Sequence, residues 1–226
     1  MVVFTMTYEQ SQKLRSITLT SGNIKDLAIE CELLKIRGSV TLHQELRLKK
    51  ISTHGYSTFH SHIVADVLKN TGTCVIKDNC EVKEIVNAGN LKMKNGQITK
   101  IKSTGKLTIE QILQSEQFDS IGIVQAKEIH TKHFQLKLSG KSEIERLITN
   151  DACVEKERQT FSLLKKKLSC KHIKGRNLQL SYTDAEIVEG DVVVVDENCD
   201  IQTLYYKENY TISPNAKVQH IIRNEE

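Results

Sequence analysis

Apolar and polar residues alternate along this chain in short bursts, and most bursts begin two places after a glycine. The second place holds Ile24, Val40, Ser57, Cys74, Leu91, Leu107, Val124, Ser142 and Val192, and the fourth holds Leu42, Phe59, Ile76, Met93, Ile109, Ala126, Ile144 and Val194. A period of two marks a strand with one buried face. A second apolar pair follows eight and ten places after the glycine (Leu46 and Leu48, Ile63 and Ala65, Cys80 and Val82), and a third position near thirteen holds Ile51, Leu68, Ile85 and Phe118. Each burst therefore predicts three short strands.

The glycines set the length of the unit. They stand at 22, 38, 55, 72, 89, 105, 122, 140, 175 and 190, with gaps of 16, 17, 17, 17, 16, 17, 18, 35 and 15. The gap of 35 reads as two periods with one glycine missing near Glu157 or Arg158. Strands this short cannot bury a face alone, so the units must stack, each turn hydrogen-bonding to the next. The pattern predicts an all-β parallel β-helix of about 17 residues per turn and roughly ten turns, a rod of ~50 Å at the usual spacing between strands. Glycine is expected at a recurring corner for its tolerance of positive φ. Asn95-Gly96 reads as a turn, Asp26 breaks the alternation, and the Gly175 unit has Leu178 and Leu180 one place late. TPR-like and HEAT-like solenoids have longer periods and an i, i+3, i+4 pattern that these units lack. The segment 155–171, with Lys165, Lys166 and Lys167, is the one stretch readable as a helix, and a strand turn with a charged outer face is preferred.

Charge and chemistry narrow the function classes. The 226 residues carry 32 Lys and Arg against 28 Asp and Glu, a net +4 spread along the chain, so no nucleic-acid partner is expected. The longest aliphatic run is Val192–Val195, too short to span a membrane, and the N-terminus has no secretory pattern, so a cytoplasmic location is expected. The six cysteines form no CxxC pair and are expected as reduced thiols, Cys74 and Cys80 as small core residues. There is no P-loop, GxGxxG, GxSxG or HExxH, and the acidic residues are scattered. No enzyme activity and no cofactor are expected. His43 and His60 fall five places after their glycines and should stack with Lys77 in the same column and His62 beside them, a corner where a metal is geometrically conceivable but a solvated column of stacked polar residues is the preferred reading. His130, His133, His172 and His220 show no comparable clustering.

The ends point to assembly. The domain plan is a flexible tail over 1–15, the β-helix over 16–218 and a C-terminal tail over 219–226. Each end of a β-helix presents unpaired backbone groups that proteins normally cover, and no strong amphipathic helix is available to do so. End-to-end self-association would satisfy them. The tyrosine-rich segment 201–210 could cap the rod or form a contact, and Val2, Val3 and Phe4 form an apolar tip that could touch a membrane.

A β-helix with a 17-residue period, glycine corners, short tails and no catalytic motif resembles the bactofilins, the bacterial polymer-forming cytoskeletal proteins. The ending, Ile187-Val-Glu-Gly-Asp-Val-Val-Val-Val195, then Leu204-Tyr-Tyr-Lys and Ile212-Ser-Pro-Asn-Ala-Lys-Val218, is similar to a divergent Gram-positive type of that family. The resemblance covers about Gly22 to Val218; the chain has more turns than is usual for the family and few closely repeated Gly-Asp-Val units. It implies right-handed winding, nucleotide-free polymerisation through terminal turns with itself or a paralogue, and a scaffold for envelope, shape or motility machinery, often beside the inner membrane. The implied interface residues are Ile24, Leu27 and Ile29 at one end, and Val192, Val194, Ile201, Leu204, Tyr205 and Tyr206 at the other. The alternatives are a passive ligand-binding solenoid and a hexapeptide-like metal-dependent enzyme using the His43, His60 and His62 corner.

Overall fold

In a computed structural model of the protein, residues 4–9, 14–27, 31–158 and 165–224 are described, with side chains from Arg15 onward. The described residues contain no helix and wind as a parallel β-solenoid of about twelve turns spaced about 17 residues apart, against the roughly ten expected. They divide into two compact units, Met1–Glu110 and Gln111–Glu226. The first holds β1 (Phe4–Glu9), β2 (Leu14–Ile24), β3 (Leu33–Leu42), β4 (Leu46–Thr53), β5 (Tyr56–Phe59), β6 (Ile63–Asn70), β7 (Thr73–Asn87), β8 (Asn90–Ser103) and the start of β9 (Lys106–Leu138). The second holds the rest of β9, then β10 (Lys141–Lys156), β11 (Lys167–Lys174), β12 (Asn177–Leu180), β13 (Thr183–Val195), β14 (Asp200–Ile212) and β15 (Lys217–Arg223).

In the first unit the register repeats almost without change. Leu34 pairs with Ile51, Ile51 with Leu68, Leu68 with Ile85, and Ile85 with Ile101, and all five side chains are buried. Each such Leu or Ile contributes about 1.5–3 kcal/mol relative to an exposed one. Cys74 and Cys80 are buried in this core, and burial pushes the Cys74 thiol up to about 12. Such a thiol is inert packing.

The reason for the glycines differs from the expected one. Among glycines only Gly22 has a positive φ, 135°, and it pairs with Val40, outside the column. A Cβ on Gly55, Gly72, Gly89 or Gly105 would lie 2.1–2.2 Å from the carbonyl oxygen of the preceding glycine in the stack, and one on Gly38 would meet the Thr20 carbonyl. Backbone meets backbone at this bend, and no side chain fits. Gly96 is not in a hairpin turn either; it lies buried within β8 opposite Cys80.

Two residues before Gly55, Gly72, Gly89 and Gly105 runs an interior polar ladder that the sequence reading missed. Thr53 Oγ1 donates to Asn70 Oδ1 at 2.8 Å, Asn70 Nδ2 to Asn87 Oδ1 at 2.8 Å, and Asn87 Nδ2 to Ser103 Oγ at 2.9 Å. Asn70 Oδ1 accepts from Gly72 N–H at 3.1 Å and Asn87 Oδ1 from Gly89 N–H at 3.2 Å. The amides satisfy backbone groups that the bend removes from the sheet, as buried polar groups require.

The second unit is less regular. Ala126 pairs with Ile144 eighteen residues on, but Lys141 pairs with Lys167, Leu168 with Thr183 and Asp184 with Asp200. The 35-residue glycine gap is therefore not two periods. One turn is longer, Gly140 lies beside Lys167 (Lys167 N–H to Gly140 O, 3.4 Å), and Gly175 occupies another bend, with its Cβ position 2.8 Å from the Thr149 carbonyl. This displacement is why Leu178 and Leu180 looked late. Within 155–171, β10 ends at Lys156 and β11 starts at Lys167, with 159–164 outside the described residues. Lys166 does not belong to a charged outer face. It is buried, its Nζ donating to the Glu157 carbonyl at 2.8 Å and lying 3.4 Å from Glu157 Oε2.

The terminal segments also differ from the expected tails. Phe4–Glu9, within the 1–15 tail, is β1, which pairs antiparallel with β2 from Phe4↔Leu19 to Glu9↔Leu14. The 219–226 tail overlaps β15, a further turn. Val2 and Val3 lie outside the described residues.

Candidate functional site

An inward column in the second unit shows where the fold runs out of cover. Ile129, Leu147, Ile173, Val188 and Leu204 follow one another in register and are fully buried, but Ile221, next in the column over Leu204, is 41% exposed. Each inward side chain is closed off by the following turn, and among the described residues no strand lies beyond β15. It pairs with β14 alone, Asp200↔Lys217, Ile201↔Val218, Thr203↔His220, Leu204↔Ile221, Tyr205↔Ile222 and Tyr206↔Arg223. Ile222 is 43% exposed, and the Tyr206 and Tyr210 rings pack 4.6 Å apart nearby. An exposed edge strand carrying aliphatic side chains is a template for another strand.

The expected C-terminal interface residues therefore lie inside the stack. Val192 and Val194 pair with Asn209 and Thr211 of β14 but are only half-buried; the inward pair after Gly190 is Val193 and Val195, one place later than expected, over the buried Leu178 and Leu180, while Ile201 and Leu204 are fully buried beneath β15. Tyr205 and Tyr206 are half-buried. The displacement comes from reading the last turn as a tail. At the other end Ile24 and Leu27 are buried, Leu27 N–H donating to Gln44 Oε1, and Ile29 lies outside the described residues. Phe4 is placed only as the start of β1.

The histidine corner forms as the spacing predicts, in a geometry of its own. The His43 and His60 rings stack at 4.4 Å with planes 20° apart, so their nitrogens lie in near-parallel planes and do not converge on one point. His43 Nε2 is 2.7 Å from Asn23 Oδ1, and His62 lies 3.2 Å from Glu81 and 3.9 Å from Glu45. Burial, with Lys77 and His43 adding to it, holds the His60 pKa below the ordinary histidine value. No group of three or more His, Cys, Asp or Glu side chains able to hold a metal ion occurs among the described residues.

A shallow groove of about 520 Å³ runs across β9, β10, β12 and β13. Asp151 lines it, accepting from Asn177 Nδ2 at 2.7 Å and lying 2.9 Å from His133 Nδ1. The Asn177 hydrogen bond, reinforced by His133 and Arg176, holds the Asp151 carboxyl below the ordinary range. An ionised Asp151 fixes the His133 ring through Nδ1. The sequence reading did not find this trio, because steps of 18 and 26 residues separate its members and no constant period aligns them. His130 with Glu128 at 2.6 Å, two residues apart in one strand, and His172 with Glu189 at 2.9 Å, one turn apart, are further histidine–carboxylate contacts outside this groove.

No family model matches the chain, and neither a curated protein nor a solved structure does. No helix among the described residues is long and apolar enough to cross a membrane.

Proposed function

We propose that the protein is a self-assembling scaffold whose copies join by strand addition at exposed sheet edges, without nucleotide. The observation that carries this reading is β15, a strand with one partner that leaves the core-column residue Ile221 uncovered. A second copy docking there would satisfy its backbone groups and bury Ile221 and Ile222 together. The other strand at the limit of the sheet order is β1, so the described residues offer two different edges. Joining unlike edges is a heterologous contact, which propagates when it does not close into a ring. The bactofilin resemblance, with its period and C-terminal motif, supports the same reading and would imply a cytoplasmic scaffold that organises envelope, shape or motility machinery.

The test is negative-stain electron microscopy with light scattering on purified protein, with and without ATP or GTP. Regular assemblies indifferent to nucleotide, and lost in Ile221→Asp, are expected. A monodisperse monomer for the wild-type chain across salt concentrations sinks the proposal.

A further inference from the structure

The open edge is chemically selective. β15 carries Lys217, His220 and Arg223 and no acidic residue. In the column that ends at Lys217, Lys167 Nζ contacts Asp184 Oδ1 at 2.5 Å, Asp184 pairs with Asp200, and Asp200 with Lys217. From Lys141, which pairs with Lys167, the order is cation, cation, acid, acid, cation, and Lys217 at the open end has an acid on one side alone, so the rung beyond it is favourable for an acid and unfavourable for another cation. Four places further, Ile221 and Ile222 call for apolar rungs, and Arg223 again for an acid.

β14, on the covered side of β15, already has nearly this composition. Asp200, Ile201, Leu204, Tyr205 and Tyr206 lie against Lys217, Val218, Ile221, Ile222 and Arg223. A second copy's β15 would instead bring three more basic side chains to the edge, and like charges across a strand pair are destabilising.

We infer that the outer edge of β15 receives an extended acidic segment of a partner protein, added as a parallel strand with rungs acidic, apolar, any, any, apolar, apolar, acidic. Backbone hydrogen bonds supply the docking, and the acidic ends and apolar centre supply the selection. The inference rests on the free edge and not on self-association. In the proposed scaffold such a segment would end growth at this edge.

The probe is a fluorescent synthetic peptide, Asp-Ile-Gln-Thr-Leu-Tyr-Glu, followed by anisotropy against the full chain, beside a peptide with lysine at both ends. Binding of the acidic peptide should be about tenfold tighter than that of the basic one, since two rungs change from attraction to repulsion. It should weaken as salt is raised. The double variant Lys217→Glu and Arg223→Glu, on exposed side chains, should reverse the preference. Equal binding of both peptides, an unchanged preference in the variant, or failure of the wild-type chain to bind the acidic peptide at low salt overturns the inference. Light scattering of the chain alone reports self-assembly separately, so one proposal can fail while the other stands.

Discussion

At the bend of the first unit, Gly55, Gly72, Gly89 and Gly105 each lie against the backbone of the glycine one turn before, whereas the bends preceding β13 and β14 hold Tyr182 and Asn198 at φ of 50° and 58°. In the first unit the turn length hardly varies, so one bend geometry is copied and the polar ladder through Asn70 and Asn87 runs straight. In the second the steps change from turn to turn, the ladder has no counterpart of that length, and each bend is satisfied locally. Tyr182 is held by Lys156 5.0 Å above its ring and by Glu197 3.2 Å from its hydroxyl. A regular repeat can reuse one steric solution, but a variable one needs a separate device at each turn.

Lys166→Ala should have the largest effect, because it removes a buried ammonium that donates to the Glu157 carbonyl and lies beside its carboxylate; about 3–5 kcal/mol is expected from urea unfolding followed by circular dichroism. Joint replacement, Lys166→Met with Glu157→Leu, should recover most of it. A small loss in the single variant would mean that the long turn opens readily to water.

Gly72→Ala tests the other side of the comparison. Its Cβ would sit 2.1 Å from a backbone oxygen that cannot swing away, and a loss of about 3 kcal/mol is expected. Gly190→Ala meets Val193 Cγ2 first, at 2.6 Å, and should cost clearly less because a side chain can shift. Equal losses would show that the backbone stack is not what demands glycine.

Asn87→Ala interrupts the ladder and leaves Asn70 and Gly89 short of partners, for about 1–3 kcal/mol per orphaned group. Tyr182→Gly should change stability by less than about 1 kcal/mol, since relief of the left-handed backbone offsets the lost ring and hydroxyl contacts. A large loss there would mean that Tyr182 holds its turn by more than these contacts.

Acidification should separate the units more gently. His60 in the first unit has its folded pKa below 6.5, so its contribution is present above that value and fades as pH falls through the folded pKa. In the second unit the Asn177 and His133 contacts lower Asp151, and the His130 contact lowers Glu128, so their contributions hold above about pH 4 and are lost below it. Thermal melts at about pH 7, 5 and 3 should show a first decline that His60→Asn reduces and a second that Asp151→Asn reduces.

Much of the first unit was legible because its information is periodic. Val40, Ser57, Cys74 and Leu91 stand at one offset from successive glycines, and the fold places them in register. The His43 and His60 stack was read in the same way, from equal spacing. Asn70 and Asn87 were also visible at a fixed offset, but only the bend shows why an amide is needed there. The Asp151, His133 and Asn177 trio and the further turn at Lys217–Arg223 were not legible. The first depends on a 26-residue step, and the second on whether Lys217–Arg223 pairs with β14, which no local pattern states.

The sequence by itself determined the architecture: all-β, parallel, wound about every 17 residues, with a column of small or aliphatic residues facing inward. It could do so because a stacked coil turns equal spacing along the chain into contact in space. The tertiary structure decided why glycine is required, where the period breaks, that Lys166 is buried and that β15 is the exposed edge. These depend on how close two backbones approach and on whether another strand covers a given one, distances that a one-dimensional pattern does not contain.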